Sequence, residues 1–240
     1  MARRSFQRKP SQREQRKRFL IVVEGAVTEC SYFNAIRTSR KISTANIQVV
    51  PPGPTSPIEI VNRAVRLRDE QRRSDSYDEV WCVFDVEAKV TQPAREGLAE
   101  ALRNADEKKI KVALSNPCFE LWLLLHHEDC TAWIASDAVQ RRCSELNIVT
   151  DKKIQDATGI LSRHDEAKPR AENQSQSHNR NGTTNPAQRN PETTVHRLVD
   201  ALFDAFPQEE ISSPRHPFSA ARTASAWPSG ATLGKIWMRV

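Results

Sequence analysis

Two short apolar runs, each ending abruptly in acid, constrain this chain more than any other feature. Val80-Trp81-Cys82-Val83-Phe84 passes without a break into Asp85-Val86-Glu87, and Phe19-Leu20-Ile21-Val22-Val23 passes into Glu24-Gly25. Apolar runs of this length without polar alternation read as strands buried on both faces, as in parallel sheets. A strand has period two, so Asp85 and Glu87 project to the same side. In open α/β sheets, ligands bind at the carboxyl ends of the strands. If the two strands are neighbours, Glu24, Asp85 and Glu87 meet at one edge. Bare carboxylates there repel by roughly 4 kcal/mol per pair at ~4 Å with an effective dielectric near 20. Mg²⁺ or Mn²⁺, hard cations that take oxygen ligands, would remove that cost. The blander reading is that these acids cap the next helix or sit in solvent.

The intervening chain alternates strand and helix. Gly25 permits a sharp turn, and Thr28 is a candidate N-cap for a helix over 29–39 with Tyr32, Phe33 and Ile36 at helical spacing. A strand over 46–50 ends at Pro51-Pro52-Gly53-Pro54. Ser56, Pro57 and Glu59 form a helix start of capping-box type, with the helix running to about Arg73. A strand over 79–86, a helix from Thr91 or Gln92 to Lys109 and a strand over 110–114 follow. This βαβαβαβ order predicts a right-handed, parallel α/β sheet.

Next, Ser115 or Asn116 reads as a cap and Pro117 as the opening of a helix that is apolar nearly all round, and hence buried. Glu120 falls in its first turn. A buried carboxylate costs several kcal/mol unless paired or neutralised, and the helix N-terminus returns only about 0.3–1 kcal/mol. Glu120 is therefore read as another acid facing the same edge. Further on, helices are expected over 137–146 and 152–164, and a last one starts within Pro191 to Val199, with Thr193 a candidate cap, and is ended by Pro207. Residues 168–191 read as a polar loop or insert, and 207–240 as a loosely structured tail.

The 240 residues carry a net charge of +6. Met1 to Arg18 hold six Arg and two Lys against one Glu, a local charge of +7, so the other 222 residues sum to −1. The basicity thus belongs to residues 1–18, which read as a disordered arm suited to a phosphate backbone or serving only as a solubilising tail. No apolar run approaches the ~20 residues of a membrane span, and no signal-peptide pattern opens the chain. A cytoplasmic protein is expected. The five cysteines form no CxxC pair, which favours reduced, buried thiols. His126, His127 and Cys130 are close in sequence, but adjacent histidines on a helix point apart, which argues against zinc. Neither a P-loop nor a GxGxxG motif is present.

These blocks, with Thr28-Glu29, Ser115-Asn116-Pro117-Cys118-Phe119-Glu120-Leu121-Trp122-Leu123 and Asn190-Pro191-Glu192-Thr193-Thr194-Val195-His196, resemble the RloB family over about residues 19–203. The Asn-Pro-Cys-Phe-Glu-Leu-Trp block is the most specific. The resemblance implies a Toprim-like (Rossmann-like) central parallel sheet flanked by helices, with extra C-terminal helices, in prokaryotic anti-phage defence. It further implies Mg²⁺ or Mn²⁺ held by Glu24, Asp85 and Glu87, with Glu24 alternatively a general acid/base and Glu120 an additional catalytic acid. Implied partners are nucleic acid (DNA, RNA or tRNA) and a partner ATPase of a defence operon. The chain departs from the family's Asp-x-Asp pattern at Glu87, one methylene longer, followed by Ala88-Lys89.

Two classes of function follow. One is a metal-dependent nuclease. The other is a non-catalytic nucleic-acid-binding or regulatory module, working with a partner ATPase or a restriction–modification complex, in which Lys89 stands in for the metal.

Overall fold

In the computed structural model, residues 16–51, 56–71, 75–86 and 92–208 are described. Their order is β1 (Phe19–Val23), α1 (Thr28–Ser39), β2 (Ile47–Val50), α2 (Pro57–Asp69), β3 (Glu79–Asp85), α3 (Gln92–Glu107), β4 (Lys111–Asn116), α4 (Glu120–Leu125), α5 (Ser136–Glu145), β5 (Val149–Thr150), β6 (Lys153–Ile154), α6 (Ala157–Ser162), α7 (His164–Arg180), a 3-10 turn (Pro186–Gln188), β7 (Glu192–Thr193) and α8 (Val195–Ala205). The main sheet has the order β2-β1-β3-β4-β7, parallel throughout except for the β4–β7 pairing. It is an α/β fold with helices on both faces.

Strand β1 is buried along its whole length, and the period of two divides it between two cores. Phe19, Ile21 and Val23 pack with α1, α4 and α8 through residues such as Tyr32, Leu121, Trp122 and Leu198. Leu20 and Val22 pack with Ile60, Val61 and Ala64 of α2 and with Leu98 and Ala101 of α3. Strand β3 divides in the same way, Trp81 and Val83 to the first core, Val80, Cys82 and Phe84 to the second. Continuous apolar runs are what two covered faces demand.

The structure corrects the expected boundaries where local pattern was weak. The helix expected to open at Pro117 begins at Glu120, because Ser115 and Asn116 extend β4; the Asn116-Pro117 peptide is cis. The helix expected over 152–164 is a β5–β6 hairpin followed by the short α6. Residues 168–180 are not loop but most of α7. The inward face of α7 carries Ala167, Ala171, Gln174 and Ser175 instead of large apolar residues. Polar bonds hold it: Gln174 Nε2 donates to Cys130 O at 2.7 Å, Ser175 Oγ to Glu192 Oε1 at 2.6 Å, and Arg170 to Leu125 O at 2.7 Å. Such a helix shows no hydrophobic stripe in the sequence. Ser56 is the N-cap of α2 as expected, but the capping box is not formed: its hydroxyl bonds the Glu59 carboxylate at 2.5 Å instead of a backbone N–H. All five cysteines are free thiols. No described helix is long and apolar enough to cross a membrane. The expectations for the arm up to residue 15, for Glu87, Ala88 and Lys89, and for the tail from residue 209 lie outside the described residues.

Of the two adjacent histidines, His126 is fully buried while His127 is partly exposed. The His126 ring packs edge-on to Trp122, with centroids 4.5 Å apart. Its Nδ1 lies 2.8 Å from Trp122 O. A carbonyl only accepts, so Nδ1 carries the proton and the neutral ring leaves Nε2 bare; Nε2 has no partner. Burial pushes the imidazole pKa down to about 3. A depressed histidine contributes stability above its unfolded pKa and loses it as pH falls from about 6.5. The expected outcome is a loss of up to roughly 1.4 kcal/mol per pH unit from this group below pH ~6.5. Denaturant titrations from pH 7 to 4 should show that slope in the wild type and a shallower one in His126→Phe. Equal slopes would refute the assignment.

Candidate functional site

The β1–β3 pairing sets the site. Val23 pairs with Val83, and the Glu24 N–H donates to Val83 O at 2.9 Å. This register brings Glu24 beside the end of β3, where its Oε2 accepts the Asp85 N–H at 2.8 Å. Glu24 and Asp85, expected from separate runs, therefore meet at the carboxyl end of the sheet. Asp85 also pairs with Ser115 of β4, and Glu120 opens α4 a few residues later.

Asp85 is partly exposed as a residue, yet its Oδ1 is buried and makes no hydrogen bond. Burial, followed by the charges of Glu29, Glu24 and Glu120, raises its pKa well above the usual carboxylate range, against the favourable Phe119 backbone amide. Desolvation and like charge act in the same direction here.

Glu29 is the acid to which sequence reasoning gave no role. It is buried at the start of α1, and its pKa is pushed up to about 7, first by burial, with the nearby Glu120 and Glu24 charges adding to it. A Cβ at Gly25 would overlap the Glu29 carboxylate, and Gly25 has no left-handed φ. The glycine after β1 thus leaves room for the Glu29 carboxylate and is not there for a turn that only glycine can make. The spacing Glu24-Gly25-x-x-Thr28-Glu29 was the available signal.

Thr28 does not cap α1 with its side chain, as had been expected; Val27 occupies the N-cap position. The buried Thr28 hydroxyl instead lies 3.4 Å from Glu120 Oε1 and 3.1 Å from Lys152 O, with one proton to share. Two buried thiols complete the surroundings. Cys143 Sγ lies 3.5 Å from Glu120 O, and Cys118 is shifted upward by burial and by Asp85 and Glu120. Thiols so shifted are inert.

Glu24, Asp85 and Glu120 are therefore brought to one edge together with Glu29, while Glu87 lies outside the described residues. Among the described residues, no three carboxylate, imidazole or thiol groups are arranged to hold a metal ion by themselves.

A carboxylate with a raised folded pKa contributes stability at low pH and loses it as pH rises towards that value. For Glu29 the window runs from about 4.5 to about 7. Across it, Glu29→Gln should gain on the wild type by up to roughly 1.4 kcal/mol per pH unit and then level off. Urea unfolding of both proteins in EDTA at pH 5, 6, 7 and 8 measures this difference, in which other titrating groups cancel. A constant difference would show that Glu29 is ionised throughout.

The family described as RloB-like protein matches residues 19–202. No curated protein and no solved structure matches the chain. The matched span contains every strand of the sheet, all four described carboxylates and the Asn-Pro-Cys-Phe-Glu-Leu-Trp block that turns β4 into α4. The chain belongs to the RloB-like family.

Proposed function

We propose that this protein is a divalent-metal-dependent nuclease that hydrolyses phosphodiester bonds of DNA or RNA and acts, within a Toprim-like frame, in prokaryotic anti-phage defence. The observation that carries the reading is the unpartnered, buried Oδ1 of Asp85 beside the charges of Glu24, Glu29 and Glu120. Acids are rarely held in this way unless a cation or proton compensates them. The donor chemistry, carboxylate oxygen throughout, fits Mg²⁺ or Mn²⁺.

Glu24, Asp85 and Glu87 would hold the ion, with Glu120 alongside. Such an ion polarises a phosphoryl oxygen and lowers the pKa of bound water. The chain's own residues do the positioning. The Asp85 amide fixes the Glu24 carboxylate, the Thr28 hydroxyl steadies Glu120, and burial keeps water from Asp85 Oδ1. The defence role and a partner ATPase rest on the family likeness. The +7 charge of residues 1–18 supports a nucleic-acid substrate. The root of that arm is at the opposite end of the sheet from the acids. Arg18 there bonds Asp78, Ala45 and Asp75, in the loops that enter β3 and β2.

The test is cleavage of labelled plasmid DNA and total tRNA with Mg²⁺ or Mn²⁺, using wild type, Glu24→Gln and Asp85→Asn. Both variants should fold, and both should lose at least about a hundredfold in rate, the scale of removing one group that stabilises transition-state charge. Calorimetry should show Mn²⁺ binding that Asp85→Asn abolishes. Unchanged cutting by both variants would overturn the reading. No cutting and no Mn²⁺ binding by the wild type would leave the non-catalytic module.

A further inference from the structure

The β5–β6 hairpin is the element that the sequence reading missed and that the site does not explain. Its pairing is Val149 with Ile154 and Thr150 with Lys153, which leaves Asp151 and Lys152 as a two-residue turn. Both turn residues have positive φ, 50° and 61°. This is the pattern of a type I′ hairpin turn, whose second position favours glycine. A lysine there costs on the order of 1–2 kcal/mol in backbone strain. The turn is not free to drift from the site. Lys152 O accepts from Thr28, the same hydroxyl that lies beside Glu120 Oε1, and β6 packs on α1. Val149 is buried, whereas Asp151, Lys152 and Lys153 are exposed. Among the described residues, neither lysine ammonium is held in an ion pair.

A site lined by carboxylates repels the anion it must admit. A cationic rim fixed to the same scaffold offsets that repulsion and sets where the substrate backbone lies. We infer that the β5–β6 hairpin presents Lys152 and Lys153 as the phosphate-binding rim of the carboxylate site, gripping the backbone of a nucleic-acid strand. This rests on the nuclease reading above and deepens it. The contacts are to phosphate, so they position the strand without reading its sequence.

The experiment is fluorescence anisotropy of the full-length protein with labelled single-stranded RNA and DNA in EDTA, across a salt series. The double variant Lys152→Asn with Lys153→Gln is compared with Lys152→Arg with Lys153→Arg. Asparagine tolerates the left-handed turn conformation, so the hairpin is kept, and matching unfolding midpoints check this. Neutralising both lysines should weaken binding about three- to tenfold at moderate salt and lower the salt slope by about 1–2. The arginine pair should retain affinity. Wild-type affinity and slope in the neutralised pair would overturn the rim and leave the nuclease reading intact. Binding without metal-dependent cutting would overturn the nuclease reading and leave the rim. No binding by the wild type would overturn the rim and leave the nuclease reading to the cleavage test.

Discussion

The hydrogen bond from the Asp85 amide to the Glu24 carboxylate joins the ends of the two strands at the centre of the sheet. It exists because β1 and β3 run parallel in a register that sets Val23 against Val83. A slip of one residue would send the apolar side chains of each strand to the opposite face. With both faces buried, that slip is heavily penalised, so core packing fixes the spacing of the two acids. Asp85, Glu29 and Glu120 then share a poorly solvated edge, and the neighbouring residues follow from that crowding. The Glu29 carboxylate lies over Gly25, in the space a side chain there would enter. Thr28 gives up helix capping to bridge Glu120 and the β5–β6 turn.

Away from the acids, the C-terminal half is held by polar bonds as much as by apolar area. Asn190 donates to Asn116 Oδ1 and to Ile134 O, and its Oδ1 accepts the Ile134 N–H. One side chain thus ties the end of β4 to the loop before α5. Arg189 forms a well-shielded ion pair with Glu192, its Nη2 donating to Oε1 at 2.7 Å, and the same Oε1 also accepts from Ser175 of α7. Truncating either partner of such a pair leaves an uncompensated, poorly solvated charge. These contacts also hold β7 against β4, where Thr193 and Ser115 hydroxyls meet at 3.0 Å.

The strands β1, β2, β3 and β4 and the helices α1, α2, α3 and α8 were legible because each carries a strong local period or a breaker at its end. Glu24 and Asp85 stood out as acids that end apolar runs, and Glu120 as an acid in the first turn of an otherwise apolar helix. Glu29 was not, since burial of its carboxylate depends on α4 and on Gly25, elements distant in sequence or unremarkable alone. The α7 helix was hidden by its polar inward face. The β5–β6 hairpin was hidden by a turn whose residues, Asp and Lys, lack the usual glycine.

The sequence by itself determined which segments must be buried and where acids interrupt them, because apolar periodicity is a local property. It also carried the motifs that mark the family. Tertiary structure alone decided which acids become neighbours, how far burial shifts Glu29 and Asp85, and that the Lys152 carbonyl meets the Thr28 hydroxyl. Those outcomes depend on desolvation and on distances across strands and helices, which are sums over residues far apart in the chain.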